Sequence, residues 1–96
     1  VIRKETYSAF VGTKLMGLLE RKKIEALVIC GVMTNLCVET TARHAFLLNI
    51  QPIVVGDACA SNSRASHNAS LRNIAYAFGP AVPVQSICAA LGKTKV

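Results

Sequence analysis

The sequence predicts an α/β fold, an open parallel sheet flanked by helices, and three observations carry that reading. Ala26–Val32 is a near-continuous apolar run rich in β-branched residues, the pattern of a strand buried on both faces of a parallel sheet. Apolar residues recur at helical spacing in the segments on either side of it. Short apolar strands and helical segments then alternate along the chain, and crossover helices force parallel strands joined with right-handed connections.

Residues 1–3 read as the end of a strand. Residues 13–23 carry Leu15, Leu18 and Leu19 at spacings of three and four, an amphipathic helix with Thr13 as its cap. After the apolar run, a second helix is predicted over 35–48. Residues 52–56 form a short strand ending at Asp57, followed by a third helix over 64–78 with Leu71, Ile74, Ala75 and Phe78 on its inner face. Residues 82–84 add an edge strand in which Pro83 limits ladder bonding. The predicted order is β-α-β-α-β-α-β, with no internal repeat and a polar, frayed tail over 92–96.

At 96 residues the chain is one domain or part of one, since two separate cores would each be too small. Hydrophobic residues make up 52% and charged residues 17%, under the roughly 25% charged of a typical soluble domain, which excludes disorder. The longest apolar run, 26–33, falls far short of the roughly 20 residues needed to cross a bilayer, so no membrane partner is expected. Val1 opens a β-branched stretch with no initiator Met, basic n-region or cleavage site, so the chain reads as entered in mid-fold. A small domain needs more polar surface than average, and the apolar surplus here calls for a further surface: the rest of a larger domain, or a homo-oligomer.

The net charge of +6 raises the question of nucleic acid. Only Arg21, Lys22 and Lys23 cluster, at a predicted helix end where cations suit the dipole, and aromatic residues are few, so nucleic acid is not an expected partner. Cys30, Cys37, Cys59 and Cys88 form no CxxC pair, which points to reduced thiols and a cytoplasmic chain.

In open parallel sheets ligands bind beyond the carboxyl ends of the strands, which singles out Lys4, the segment 31–37 and Asp57. The segment 31–37 passes from a strand through a tight turn into a helix whose first turn holds Cys37, with Thr34 or Asn35 as cap. Free amides and the positive end of the helix dipole there favour thiolate over thiol and can also bind a developing oxyanion, an effect commonly worth about 3 kcal/mol. The competing reading of Cys37 is a buried small hydrophobe, which suits Cys30 inside its strand better, and Cys59 and Cys88 too. Lys4 is ordinarily a solvated lysine; desolvated beside the apolar stretch 7–10 and close to Cys37 it would favour the thiolate. His44 lies on the helical face of Cys37 but about 10 Å along the axis, too far for a direct base. His67 reads as a surface or packing residue, and Arg43 as a solvated residue that could hold a substrate carboxylate. Two histidines without a nearby carboxylate do not make a metal site.

The segments VIRKETYSAF, GVMTNLCVETTARHA and VVGDA together make the chain similar to the isochorismatase-like cysteine hydrolases, which include nicotinamidases, N-carbamoylsarcosine amidohydrolases and ureidoacrylate hydrolases. The resemblance spans nearly the whole chain and implies that residues 1–96 are the C-terminal portion of one such domain, here the later strands and helices of a six-stranded parallel sheet. It further implies an Asp-Lys-Cys triad that cleaves an amide or ureido C–N bond of a small molecule through a thioester. Lys4 matches the family lysine and Cys37 the nucleophile. The resemblance also implies a cis peptide between Val32 and Met33, with the Met33 and Cys37 amides as oxyanion hole. The family aspartate lies upstream of the lysine, and Asp57 matches a different position, so the general base is missing and the segment alone is expected to be inactive. Family metal ligands would likewise lie upstream, and no cofactor is assigned to this segment. His44 stands where many relatives are acidic.

Two other functions compete: a shortened domain without turnover that serves as an assembly module through its apolar edge, and a redox switch at Cys37 alone.

Overall fold

The structure, a computed structural model, describes residues 1–92. The elements are α1 (Leu15–Arg21), β1 (Ala26–Val32), a π-helical turn (Thr34–Val38) running into α2 (Glu39–Leu47), β2 (Gln51–Ala60), α3 (Arg64–Ala77), β3 (Ala81–Val82) and α4 (Val84–Gly92). The sheet is parallel throughout, in the order β1-β2-β3, and helices flank it, as the alternating pattern predicts.

The Thr13 hydroxyl accepts from the Leu15 amide at 3.3 Å just ahead of α1, but Thr13 is not its cap: Lys14 holds the cap position, without a side-chain cap bond. α1 and α2 end alike. Lys23 and Asn49 take left-handed backbone (φ 56° and 62°), while the amides of Ile24 and Ile50 reach back to the carbonyls of Leu19 and Ala45 at 3.0 and 2.9 Å. This Schellman closure satisfies the final carbonyls and turns each helix into the next strand. It also buries Leu19, Ala45 and Ile50 together with Phe10 in one core cluster. α3 starts on Ser63, whose hydroxyl accepts from the Ser66 amide at 3.2 Å. It contributes Ile74 to a second cluster with Val38, Ala42 and Val54.

Several expectations are corrected. Residues 1–3 are irregular rather than strand, because no described strand pairs with them, so the order starts with a helix. β1 alternates exposed and half-buried positions instead of being covered on both faces: Leu27 and Ile29 pack on the two core clusters, while Val28, Cys30 and Val32 point to the opposite, open face. β2 does not stop at Gly56 but runs through Asp57 to Ala60, since the ladder resumes as Gly31 pairs with Cys59 after a register shift. Along α3 the buried positions are Ser70 and Ile74, with Ala75 exposed. The third strand is Ala81–Val82, and Val84 opens a helix where the sequence pattern predicts only a strand end. Of the tail expected to fray, residues 93–96 lie outside the described residues.

Candidate active site

A register shift between Ile29 and Gly31 interrupts the ladder, which resumes as Gly31 and Val32 pair with Cys59 and Ala60 at the end of β2. Gly31 sits at φ 127°, a conformation that residues with a side chain rarely adopt. The next peptide bond, Val32–Met33, is cis. The chain then enters the π-turn, where the amides of Leu36 and Val38 both donate to the Met33 carbonyl at 3.1 and 3.2 Å. Single π-turns of this kind are frequent at functional sites. Contrary to expectation, neither Thr34 nor Asn35 caps this turn; Met33 precedes it without a side-chain cap. Thr34 is fully buried and shares a hydrogen bond with His67 Nδ1 at 2.7 Å, and Asn35 Oδ1 accepts from Ser61 at 2.7 Å. Those contacts fix the turn against α3 and the end of β2.

Cys37 is half-buried within the turn, at a pocket of about 190 Å³ bordered by Lys4, Ala9, Gly31, Val32 and Thr41. The Lys4 ammonium reaches it, donating to Sγ at 3.3 Å and to the Thr6 carbonyl at 2.9 Å. Lys4 itself is exposed, so the desolvation expected beside residues 7–10 is absent; Tyr7 is about half exposed as well. What holds the lysine segment is α2. Thr41 accepts from the Ala9 amide at 3.0 Å and donates to the Tyr7 carbonyl at 3.4 Å, and Ser8 shares a hydrogen bond with His44 Nδ1 at 2.8 Å. Sequence reasoning did not single out Thr41 or Ser8. Thr41 follows Cys37 by one helical repeat, and that spacing was the available signal.

The other candidates lie elsewhere. Asp57, inside β2, accepts from the Val84 amide at 2.7 Å and so caps α4. Arg43 pairs with Glu39 at 2.7 Å and covers the Phe78 ring at 4.6 Å, which occupies its guanidinium within the helix layer. Ser70 donates to the other oxygen of Glu39. His67 is engaged by Thr34 and stands apart from Cys37. All four cysteines are free; Cys30 and Cys88 are exposed, so the expectation that Cys30 is a buried hydrophobe fails because the outer face of β1 is open. Burial pushes the Cys59 thiol upward, with the Gly31 backbone opposing and the neighbouring Cys30 and Asp57 adding to the rise. Among the described residues, no three His, Cys, Asp or Glu side chains come together as metal ligands, and no helix is long and apolar enough to cross a membrane.

Residues 1–86 match the family model of the isochorismatase domain. The chain belongs to the isochorismatase family. Nicotinamidase 3 of Arabidopsis thaliana is 42% identical over 78 residues, 81% of this chain and 39% of that protein. The ureidoacrylate amidohydrolase of Cronobacter sakazakii is 39% identical over 92 residues, 95% of this chain and 40% of that one. Among solved structures, an isochorismatase family protein from Burkholderia thailandensis superimposes with a TM-score of 0.92 at 34% identity, covering 97% of this chain and 49% of the other. This isochorismatase-family chain thus spans about 40% of the length of the curated relatives it matches and about half of the solved one.

Proposed function

We propose that this chain carries the nucleophile-bearing part of a cysteine hydrolase that cleaves a C–N bond of a small amide or ureido compound. The observation that carries the reading is the Lys4 ammonium 3.3 Å from Cys37 Sγ at an accessible pocket. An ammonium at that distance can hold the sulfur by a charge-assisted hydrogen bond while it attacks as the thiolate. Sulfur adds to the carbonyl carbon, and the Met33 and Cys37 amides stabilise the oxyanion. The C–N bond then breaks, nitrogen taking a proton as it leaves, and a thioester remains. Water adds to the thioester, the C–S bond breaks, and the carboxylic acid and thiol are released.

The proton is carried by a carboxylate, and Asp57 is a poor candidate because its Oδ1 is engaged by the Val84 amide. The family resemblance assigns that role to an aspartate upstream of Lys4, with residues 1–96 as the C-terminal portion of the domain. The names of the relatives, a nicotinamidase and a ureidoacrylate amidohydrolase, indicate nicotinamide and ureido acids as the substrates to try first. The four free thiols support a cytoplasmic location, and the exposed apolar residues support homo-oligomerisation.

The open face of β1 favours a second reading, an assembly module without turnover. Val28 and Val32 are 49% and 66% exposed there on an unpaired edge. Ammonia release from a panel of small primary amides and ureido acids, measured on residues 1–96 together with the upstream segment that supplies the aspartate and on the Cys37→Ala variant of that protein, separates the two. The hydrolase reading expects release that Cys37→Ala abolishes; absence of turnover across the panel favours the assembly module.

A further inference from the structure

Lys4 stands on an irregular, exposed segment, yet a useful ammonium must stay within hydrogen-bond reach of one sulfur. A lysine side chain has many rotamers to lose, so its backbone has to be held from elsewhere. The anchoring lies four residues on. Ser8 is 3% exposed and its hydroxyl makes two bonds, accepting from the Phe10 amide at 3.2 Å and pairing with His44 Nδ1 at 2.8 Å. A hydroxyl that accepts from the Phe10 amide still has both a proton to give and a lone pair to offer, so it can bond His44 Nδ1 in either direction. The His44 ring also packs on the Phe10 ring, centroids 5.1 Å apart. His44 and Cys37 share one continuous helical run, the π-turn and α2.

The geometry points to His44 as a positioning residue: through Ser8 it ties the lysine-bearing segment to the helix that follows the nucleophile, and so sets where the Lys4 ammonium stands. It touches neither sulfur nor substrate. Thr41 makes a parallel attachment through Ala9 and Tyr7, but His44 reaches the segment by a side-chain pair that substitution can change while the backbone attachments stay. The inference rests on the thiolate role proposed for the Lys4–Cys37 pair.

Alkylation of individual cysteines by iodoacetamide near neutral pH, followed by peptide mass spectrometry on the full chain, tests it. His44→Phe keeps a ring against Phe10 and removes the nitrogen; His44→Asn restores a polar atom near the Nδ1 position. The expected result is that His44→Phe slows alkylation of Cys37 by about tenfold while Cys59 is unchanged, that His44→Asn recovers most of the loss, and that Lys4→Met slows Cys37 comparably with no further loss in the Lys4→Met/His44→Phe pair. A merely structural histidine gives the opposite sign, because loosening exposes Cys59 and speeds its labelling, and that result overturns the inference. If Lys4→Met slows Cys37 and His44→Phe does not, the inference alone falls. If Lys4→Met has no effect on Cys37, the underlying role of the pair falls and the inference with it.

Discussion

Lys4 Nζ donates to Cys37 Sγ at 3.3 Å although 33 positions of sequence separate them. The same ammonium donates to the Thr6 carbonyl, which is within the capacity of a three-donor group and leaves one proton for a substrate or solvent. Lys4→Met is therefore expected to lower amide turnover by about a hundredfold or more, as loss of a charged partner in a catalytic pair does. Lys4→Arg is not expected to restore it, since a planar guanidinium cannot reproduce a point charge at one sulfur. Steady-state kinetics of the two variants check both statements.

Asp57 separates structure from chemistry. Its Oδ1 caps α4 through the Val84 amide. Asp57→Ala should cost about 1 kcal/mol in denaturant unfolding, the usual loss on removing a helix cap. Asp57→Asn retains the accepting oxygen and should keep both stability and turnover near those of the parent. A large fall in turnover with Asp57→Asn, at unchanged stability, would identify Asp57 as the proton carrier and remove the need for an aspartate upstream of Lys4.

Much of the fold is legible in local pattern, and the departures have identifiable causes. β1 matches its predicted bounds because an apolar, β-branched run bounded by Glu25 and the turn at Met33 has few other ways to fold. Its coverage does not follow from composition: the run has the pattern of a strand buried twice, but burial depends on what packs above and below the sheet, and among the described residues only the face of Leu27 and Ile29 meets a core cluster. β2 continues past Gly56-Asp57, residues that usually punctuate, because pairing of Gly31 with Cys59 renews the ladder at a distance no local window contains. α4 is hidden for a similar reason. Val84 follows Pro83 and has a strand former's side chain, and its helix is capped from 27 positions away. At the site, helical spacing links Cys37 with His44, whereas Lys4 is brought to Cys37 only by the general rule that strand ends share a site and by family resemblance; the contact joining Thr34 to His67 has no local signature at all.

Ile74 is fully buried where α3 meets Val38, Ala42 and Val54. Ile74→Ala should lower the unfolding free energy by about 2–5 kcal/mol, through lost transfer energy and the cavity left behind. Because that cluster holds Val38, the last residue of the π-turn, the variant should also change Cys37 alkylation, whereas an exposed substitution such as Tyr76→Ala should change neither. Denaturant melts alongside thiol labelling measure the two effects.

Cys59 gives a pH prediction with a definite sign. Burial favours its neutral thiol, so its folded-state value stands above the ordinary one. A group raised in this way contributes stability that is complete below the ordinary thiol range, around pH 8.5, and is lost as pH rises through the raised value. Cys59→Ala should therefore flatten the alkaline fall in unfolding midpoint. In the folded chain Cys59 should also alkylate more slowly than exposed Cys30, the gap closing in denaturant.

The claim on which the rest depends is that the Cys37 sulfur becomes covalently bound to the acyl group of the substrate. Rapid acid quenching during turnover of a small amide, followed by peptide mass spectrometry, reads this directly. An acyl mass increment is expected on the peptide containing Cys37, removable by hydroxylamine and absent from Cys37→Ala. Turnover that persists in Cys37→Ala, or an acyl adduct on any other cysteine in its place, would contradict it.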